Sequence, residues 1–186
     1  MAVPEPVKLE MESAQTELRH ALPSAGVRWT RRDQFHLTLK FLGGVPADQT
    51  APLAESVADV CRDFPPLPLR AERIGFFPDE RFPRVIWAGV HDATELLPKF
   101  QLAIAAAAQA FTAEKTEGSF SGHVTLGRVN FIKRPSAELL ARFAHGMAGR
   151  FFGAWTADRV GIFRSELTPG GARYATLAEI PLSKKI

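Results

Sequence analysis

A single cysteine, Cys61, stands among 186 residues. No disulfide can close within the chain, and neither a zinc–thiolate site nor a redox dithiol can be built. Cys61 is expected as a packed small hydrophobe, and a reducing cytoplasm as the compartment. Long apolar runs are also missing. The longest, Leu102 to Ala108, is alanine-rich and too short to cross a bilayer. The start, Met1-Ala2-Val3-Pro4-Glu5-Pro6, has neither a basic n-region nor a small-residue cleavage site. Neither secretion nor a membrane partner is expected. Phosphate-binding glycine loops are absent too, since neither Gly-x-x-x-x-Gly-Lys-Ser/Thr nor Gly-x-Gly-x-x-Gly occurs between a strand and a helix. Gly170-Gly171 reads as part of a turn, and no adenylation lysine motif is visible.

The remaining composition is that of a globular protein: 46% hydrophobic, 23% charged, formal net charge +3, with arginine supplying most of the positive charge. A chain of this length buries a substantial core as one domain, 1–186. The mild basicity suits an anionic partner without requiring one.

Val7, Met11, Ala14, Leu18 and Ala21 fall at helical spacing after Pro4 and Pro6, which predicts a helix over about 4–21, with Pro23 beyond its end. A short strand, Val27 to Thr30, follows. Asp48 is the expected cap of a helix over about 48–63. Leu67–Phe76 and Arg84–Val90 read as a hairpin across the polar loop Pro78-Asp79-Glu80-Arg81. An alanine-rich helix is expected from Asp92 or Thr94 to about Ala113, and another from Pro135-Ser136 to near Gly149. Two final strands, Ala154–Leu167 and Arg173–Pro181, are expected around the turn Thr168-Pro169-Gly170-Gly171. Hairpins among helices favour an α+β fold over a doubly wound sheet.

One pattern occurs twice. Phe35-His36-Leu37-Thr38-Leu39-Lys40-Phe41-Leu42-Gly43 is echoed by Gly122-His123-Val124-Thr125-Leu126-Gly127-Arg128, the histidines lying 87 residues apart (123 − 36). At the strand period of two, Phe35, Leu37, Leu39 and Phe41 share one face and His36, Thr38 and Lys40 the other. In the second copy Val124 and Leu126 oppose His123 and Thr125. Gly127 falls on the polar side, where a missing side chain would leave room for a ligand. Arg128 and Phe41 each lie five residues after their histidine. Strict alternation turns both to the apolar face, whereas a bulge or strand end after Leu126 or Leu39 returns them to the polar rim.

Paired His-x-Thr-x motifs, the first continuing Lys-Phe-Leu-Gly and the second Leu-Gly-Arg, resemble the 2H phosphoesterase superfamily. Within it the chain resembles the RNA 2′,3′-cyclic phosphodiesterases, also called 2′-5′ RNA ligases. The resemblance runs from about Pro4 to Leu182. It includes Pro83-Arg84-Val85-Ile86-Trp87 and the closing Phe163-Arg164-Ser165-Glu166-Leu167 to Tyr174. It implies a bilobal fold of two antiparallel sheets related by pseudo-twofold symmetry around a central cleft, with helices outside. It also implies metal-free, cofactor-free opening of cyclic phosphates on RNA ends or small nucleotides to 2′-phosphomonoesters. By resemblance His36 is the general acid and His123 the general base. Thr38 and Thr125 hold the phosphate, Arg128 binds it, and Phe41 stacks on a base. One departure stands out. Members begin with an apolar strand ahead of the first helix, and almost all of it is missing here, so the sheet would do without it, another chain would supply it, or the sequence starts late. A backbone edge beside the motif strand would then lie open.

The chemistry matches the residue types. Imidazole ionises near pH 6.5, so a pair offers a base and an acid together, and hydroxyls two residues on can donate to phosphate oxygens. A lone His-x-Thr on a strand is usually structural, and the matched flanks of two copies reverse that preference. A zinc site would need a third ligand, which neither motif carries at ligand spacing. His20, His91 and His145 are read as structural or solvent-exposed, and Trp87 as core. Arg31-Arg32, Arg81-Arg84 and Lys133-Arg134 are read as solvated loop charges, Arg84 being the best candidate for steering RNA. An RNA-end binding module without turnover, or 2′-5′ ligation as the working direction, would use the same residues.

Overall fold

The computed structural model describes residues 1–22, 26–114, 119–168 and 171–183. The first helix, α1 (Glu5–Ala21), starts behind Pro4 and buries Val7, Met11, Ala14, Gln15 and Leu18 as one stripe. Pro23 and the two central residues of the expected turn 168–171 lie outside the described residues. Beyond α1 the chain forms β1 (Gly26–Trp29), α2 (Thr50–Arg62), β2 (Leu67–Phe77), β3 (Val85–Asp92), α3 (Leu96–Ala108), β4 (His123–Phe131), α4 (Arg134–Gly146), β5 (Phe151–Ala157), β6 (Arg159–Thr168) and β7 (Gly171–Pro181).

Five strands make an antiparallel sheet in the order β1-β4-β3-β2-β5, and β6 with β7 makes a second. The fold is α+β, as the hairpins implied. Helix α1 packs on β5 and β4, and α4 on β2 and α1, covering one face of the large sheet. Helix α2 lies between α3 and β7. One continuous core runs through both layers, from Met11 and Leu18 through Ile86, Val124 and Leu126 to Leu53, Phe100 and Ile180. Cys61 is buried in it, with its thiol pushed up to about 11 by burial.

Four local expectations are corrected. Asp48 caps nothing: it lies inside a 3₁₀ turn, Ala47–Gln49, and α2 starts at Thr50 with no side-chain cap. Helix α3 starts at Leu96, behind Glu95 in the left-handed region (φ 55°), and ends in a 3₁₀ turn short of Ala113. Asp92 caps it from outside, accepting from the N–H groups of Thr94, Leu96 and Leu97 at 2.8–3.1 Å. The expected strand Ala154–Leu167 is two strands. The chain leaves the large sheet after Ala157 and joins the small one at Arg159, while Asp158 O accepts from Leu182 N at 2.7 Å.

The fourth concerns the first motif. Residues 1–4 do not leave an open edge beside it. Ala2 bridges His36, the Met1 nitrogen donates to Leu37 O at 2.7 Å, and Met1 O accepts from Leu37 N at 3.0 Å. Met1 and Val3 are buried. The motif itself is strand-like only at His36 and Leu37. After that its backbone is held by side chains rather than a ladder: Gln101 Nε2 donates to Leu39 O at 3.0 Å and Thr112 Oγ1 to Leu42 O at 2.6 Å. Gly43, at φ +62°, turns the chain away.

Candidate active site

The two motifs meet. Leu37 forms an antiparallel bridge with Val124, each being the residue that follows its histidine. An antiparallel pairing between equivalent positions is what a local twofold axis produces. It sets His36 across from Thr125 and Thr38 across from His123. Leu37 and Val124 are fully buried, so the four polar side chains, all half-buried, share the opposite face.

The histidines are held alike. His36 Nδ1 donates to Gln34 O at 2.6 Å and His123 Nδ1 donates to Ser121 O at 2.7 Å, a carbonyl two residues back in each case. A carbonyl only accepts, so each Nδ1 carries its proton and each Nε2 is left for chemistry. Each ring also has an aromatic edge beside it: Tyr174 of β7 with centroids 5.2 Å from His36, and Phe77 of β2 at 5.0 Å from His123. The histidines therefore sit where the two sheets face each other. Burial pushes both imidazoles below their usual range, against the Nδ1 bonds that favour the cation. The charges of the Met1 amino group, His123 and Lys8 add to the effect at His36, and that of Arg128 at His123.

Arg128 reaches this face through a bulge. Trp87 pairs with Thr125 but Ile86 pairs with Gly127, so Leu126 is an extra residue and parity flips beyond it. Arg128 is exposed on the histidine side, while Val129 is buried. The bulge is pinned from α1: buried Gln15 donates through Nε2 to Leu126 O and Thr30 O, both at 2.7 Å. Phe41, past the end of the strand-like segment, is 68% exposed, so alternation does fail after Leu39.

Two readings change. Gly127 does not open space for a ligand. A Cβ there would lie 3.0 Å from Val27 and Trp29, so the missing side chain lets β1 pack against β4. Trp87 is not core. Ile86 and Ala88 are buried, and half-buried Trp87 faces the other way, beside Thr125 and 6.4 Å from the His123 ring. It lies across Gly75, where any Cβ would collide with the indole. Strand parity was the available signal for Trp87. Tyr174, Phe77 and Gln15 had none, because their roles depend on contacts between distant segments.

The other polar residues behave as solvated structure. His91 and His145 are exposed beside Glu72 and Glu80, and His20 is exposed in the last turn of α1. Arg31 pairs with Asp33, Arg32 with Glu12 and Arg134 with Glu138. Among the described residues, no three His, Cys, Asp or Glu side chains converge on a metal-sized site, and no helix is long and apolar enough to cross a membrane.

Known proteins share this architecture. The crystal structure of TT0787 from Thermus thermophilus superposes with a TM-score of 0.79 at 25% identity, covering 99% of this chain and 96% of that one. Escherichia coli LigT complexed with 3′-AMP gives 0.76 at 19% identity, covering 99% and 95%. In sequence, the RNA 2′,3′-cyclic phosphodiesterase of Methanothermobacter thermautotrophicus is 30% identical over 156 residues, 82% of this chain and 81% of that protein. That of Methanocaldococcus jannaschii is 25% identical over 181 residues, 95% of each. The fold is thus that of a phosphoesterase. The family model for LigT-like phosphoesterases matches residues 1–87, and the chain belongs to that family.

Proposed function

We propose that this chain hydrolyses 2′,3′-cyclic phosphates at RNA ends to 2′-phosphomonoesters, using His36 and His123 as an acid–base pair. The observation that carries the reading is the Leu37–Val124 bridge, which turns two His-x-Thr motifs onto one surface with both Nε2 atoms available. Water attacking phosphorus must lose a proton and the departing 3′-oxygen must gain one. Each transfer contributes typically 10²–10⁴-fold in rate. His123 is the base, accepting at Nε2 in its neutral form, the role the family resemblance gives it. His36 is the acid and protonates the 3′-oxygen. Thr38 and Thr125 donate to the non-bridging oxygens as negative charge builds on them, and Arg128 holds the phosphate. Phe41 stands at the rim to stack on a base. No step needs a metal or a cofactor.

The test is incubation with an oligoribonucleotide ending in a 2′,3′-cyclic phosphate, in excess EDTA, with products identified by mass and phosphatase sensitivity. A 2′-phosphate product is expected, and His36→Gln and His123→Gln should each lower kcat by roughly 10²–10⁴-fold. Folded variants that both keep wild-type turnover would refute the assignment.

A further inference from the structure

Arg28 of β1 is paired directly across from Arg128 of β4. Opposed residues on antiparallel strands share a face, so both guanidinium groups project on the histidine side, and both are exposed. Two like charges in that position repel, and sheets usually avoid the arrangement. Among the described residues no opposite charge relieves it. Neither arginine has an ion-pair partner among the described residues. Across β1, β4 and β3 the single carboxylate is Asp92, which is buried and already engaged with the N-terminus of α3. Among the described residues no carboxylate answers the pair, which suits it to an anion from outside the fold.

Position identifies it. Five residues separate His123 from Arg128 and one of them is bulged, so at about 3.3 Å per residue the cation pair starts roughly 13 Å along the strand from the catalytic ring. Arginine side chains reaching back shorten that gap, and Arg128 reaches far enough for its charge to be felt at His123. Arg28 lies one strand further out. A mononucleotide held by its cyclic phosphate at the histidines does not extend so far, whereas an RNA chain does.

We propose that Arg28 forms a second phosphate subsite, next to the cyclic phosphate that Arg128 holds. It holds the first phosphodiester on the 5′ side of the cyclic end, so that oligoribonucleotides are preferred over cyclic mononucleotides. This rests on the phosphodiesterase reading above. A guanidinium suits the task, since it offers paired donors to two phosphate oxygens.

The experiment compares adenosine 2′,3′-cyclic phosphate with a ten-nucleotide RNA ending in the same group, on wild type, Arg28→Gln and Arg28→Lys. The expected result is that Arg28→Gln lowers kcat/KM for the RNA about tenfold, mainly through KM, and lowers that for the mononucleotide at most twofold. Arg28→Lys should recover part of the RNA loss, and the salt slope for the RNA should fall by about 0.7–1 in Arg28→Gln. Equal losses on both substrates, or no loss on the RNA, would overturn the subsite while leaving the activity intact. Wild-type protein inert on both would overturn the phosphodiesterase reading, and the subsite with it.

Discussion

Gln15 tests whether the bulge at Leu126 matters, because one buried amide holds it. Replacing Gln15 by Leu keeps much of the volume and removes both 2.7 Å donations, to Leu126 O and Thr30 O. Leu126 O keeps a second donor, Thr30 N at 2.9 Å, so only the Thr30 carbonyl loses its partner outright. An orphaned buried acceptor costs about 1–3 kcal/mol. Thr30 and Gln15 line a solvent-facing concavity that admits water, which places the cost at the lower end, about 1–2 kcal/mol. In a chain of this size that lowers Tm by roughly 2–8 °C. Urea unfolding followed by tryptophan fluorescence measures the stability directly. Kinetics separates a structural role from a positioning one. If Gln15 acts by fixing the bulge that delivers Arg128, Gln15→Leu lowers kcat/KM in the wild-type background and adds almost nothing in Arg128→Gln. The coupling should fall within about 0.5–3 kcal/mol. Additive losses, or a stability change below about 0.5 kcal/mol, would refute the argument.

Three further expectations follow from the same contacts. Gly127→Ala should cost about 1–3 kcal/mol in urea unfolding, because its Cβ would press on Val27 and Trp29 at 3.0 Å, while activity per folded molecule is retained. Asp92→Ala should cost about 1.5–3 kcal/mol by removing a charged cap from α3. Burial raises the Asp92 carboxyl, but the Thr94 hydroxyl and three N–H groups outweigh it and hold the pKa below the usual 3.8, so its stabilisation is present above that pH and is lost as pH falls through the folded pKa. The pH profile of kcat/KM should be a bell centred on the acid side of 6.5, because burial lowers both histidines. Arg128→Gln should move it to higher pH by relieving His123, and a bell centred above 7 would contradict the geometry.

Much of this was legible because the motifs obey period two where it counts. Phe35, Leu37, Val124 and Leu126 are buried and His36, Thr38, His123 and Thr125 are not, as alternation requires. Helix α1 was readable from its apolar stripe and its prolines. Arg128 was reachable only by allowing for a bulge, and the bulge is there. What stayed hidden depends on segments far apart in the chain. Nothing between Ala154 and Leu167 marks Asp158 as the crossing point between sheets, since the one glycine there, Gly161, lies inside β6 rather than at the crossing, and there is no proline. The first motif does not continue as a strand because Gln101 and Thr112, more than sixty residues on, take the carbonyls a neighbouring strand would have bonded. Arg28 drew no notice beside Val27 and Trp29 until pairing set it against Arg128.

The local twofold explains both the strength of the motif signal and its limit. Two antiparallel copies with identical Nδ1 anchoring make the histidines equivalent, so nothing within the tetrapeptides distinguishes acid from base. Their surroundings differ five residues on, where the symmetry fails. The second copy stays in the sheet, bulges, and puts Arg128 beside His123, with Arg28 across from it. The first copy leaves the sheet after Leu37 and puts Phe41 in solvent. One rim of the site therefore carries two arginines and the other an exposed Phe41. On the function proposed above, a cyclic phosphate between the histidines has its chain drawn toward the arginines and its terminal base toward Phe41, and that polarity would set which ester oxygen faces which histidine. Because two different rims supply it, exchanging them should be more damaging than weakening either: Phe41→Arg combined with Arg128→Phe would leave the paired histidines intact and lose the orientation.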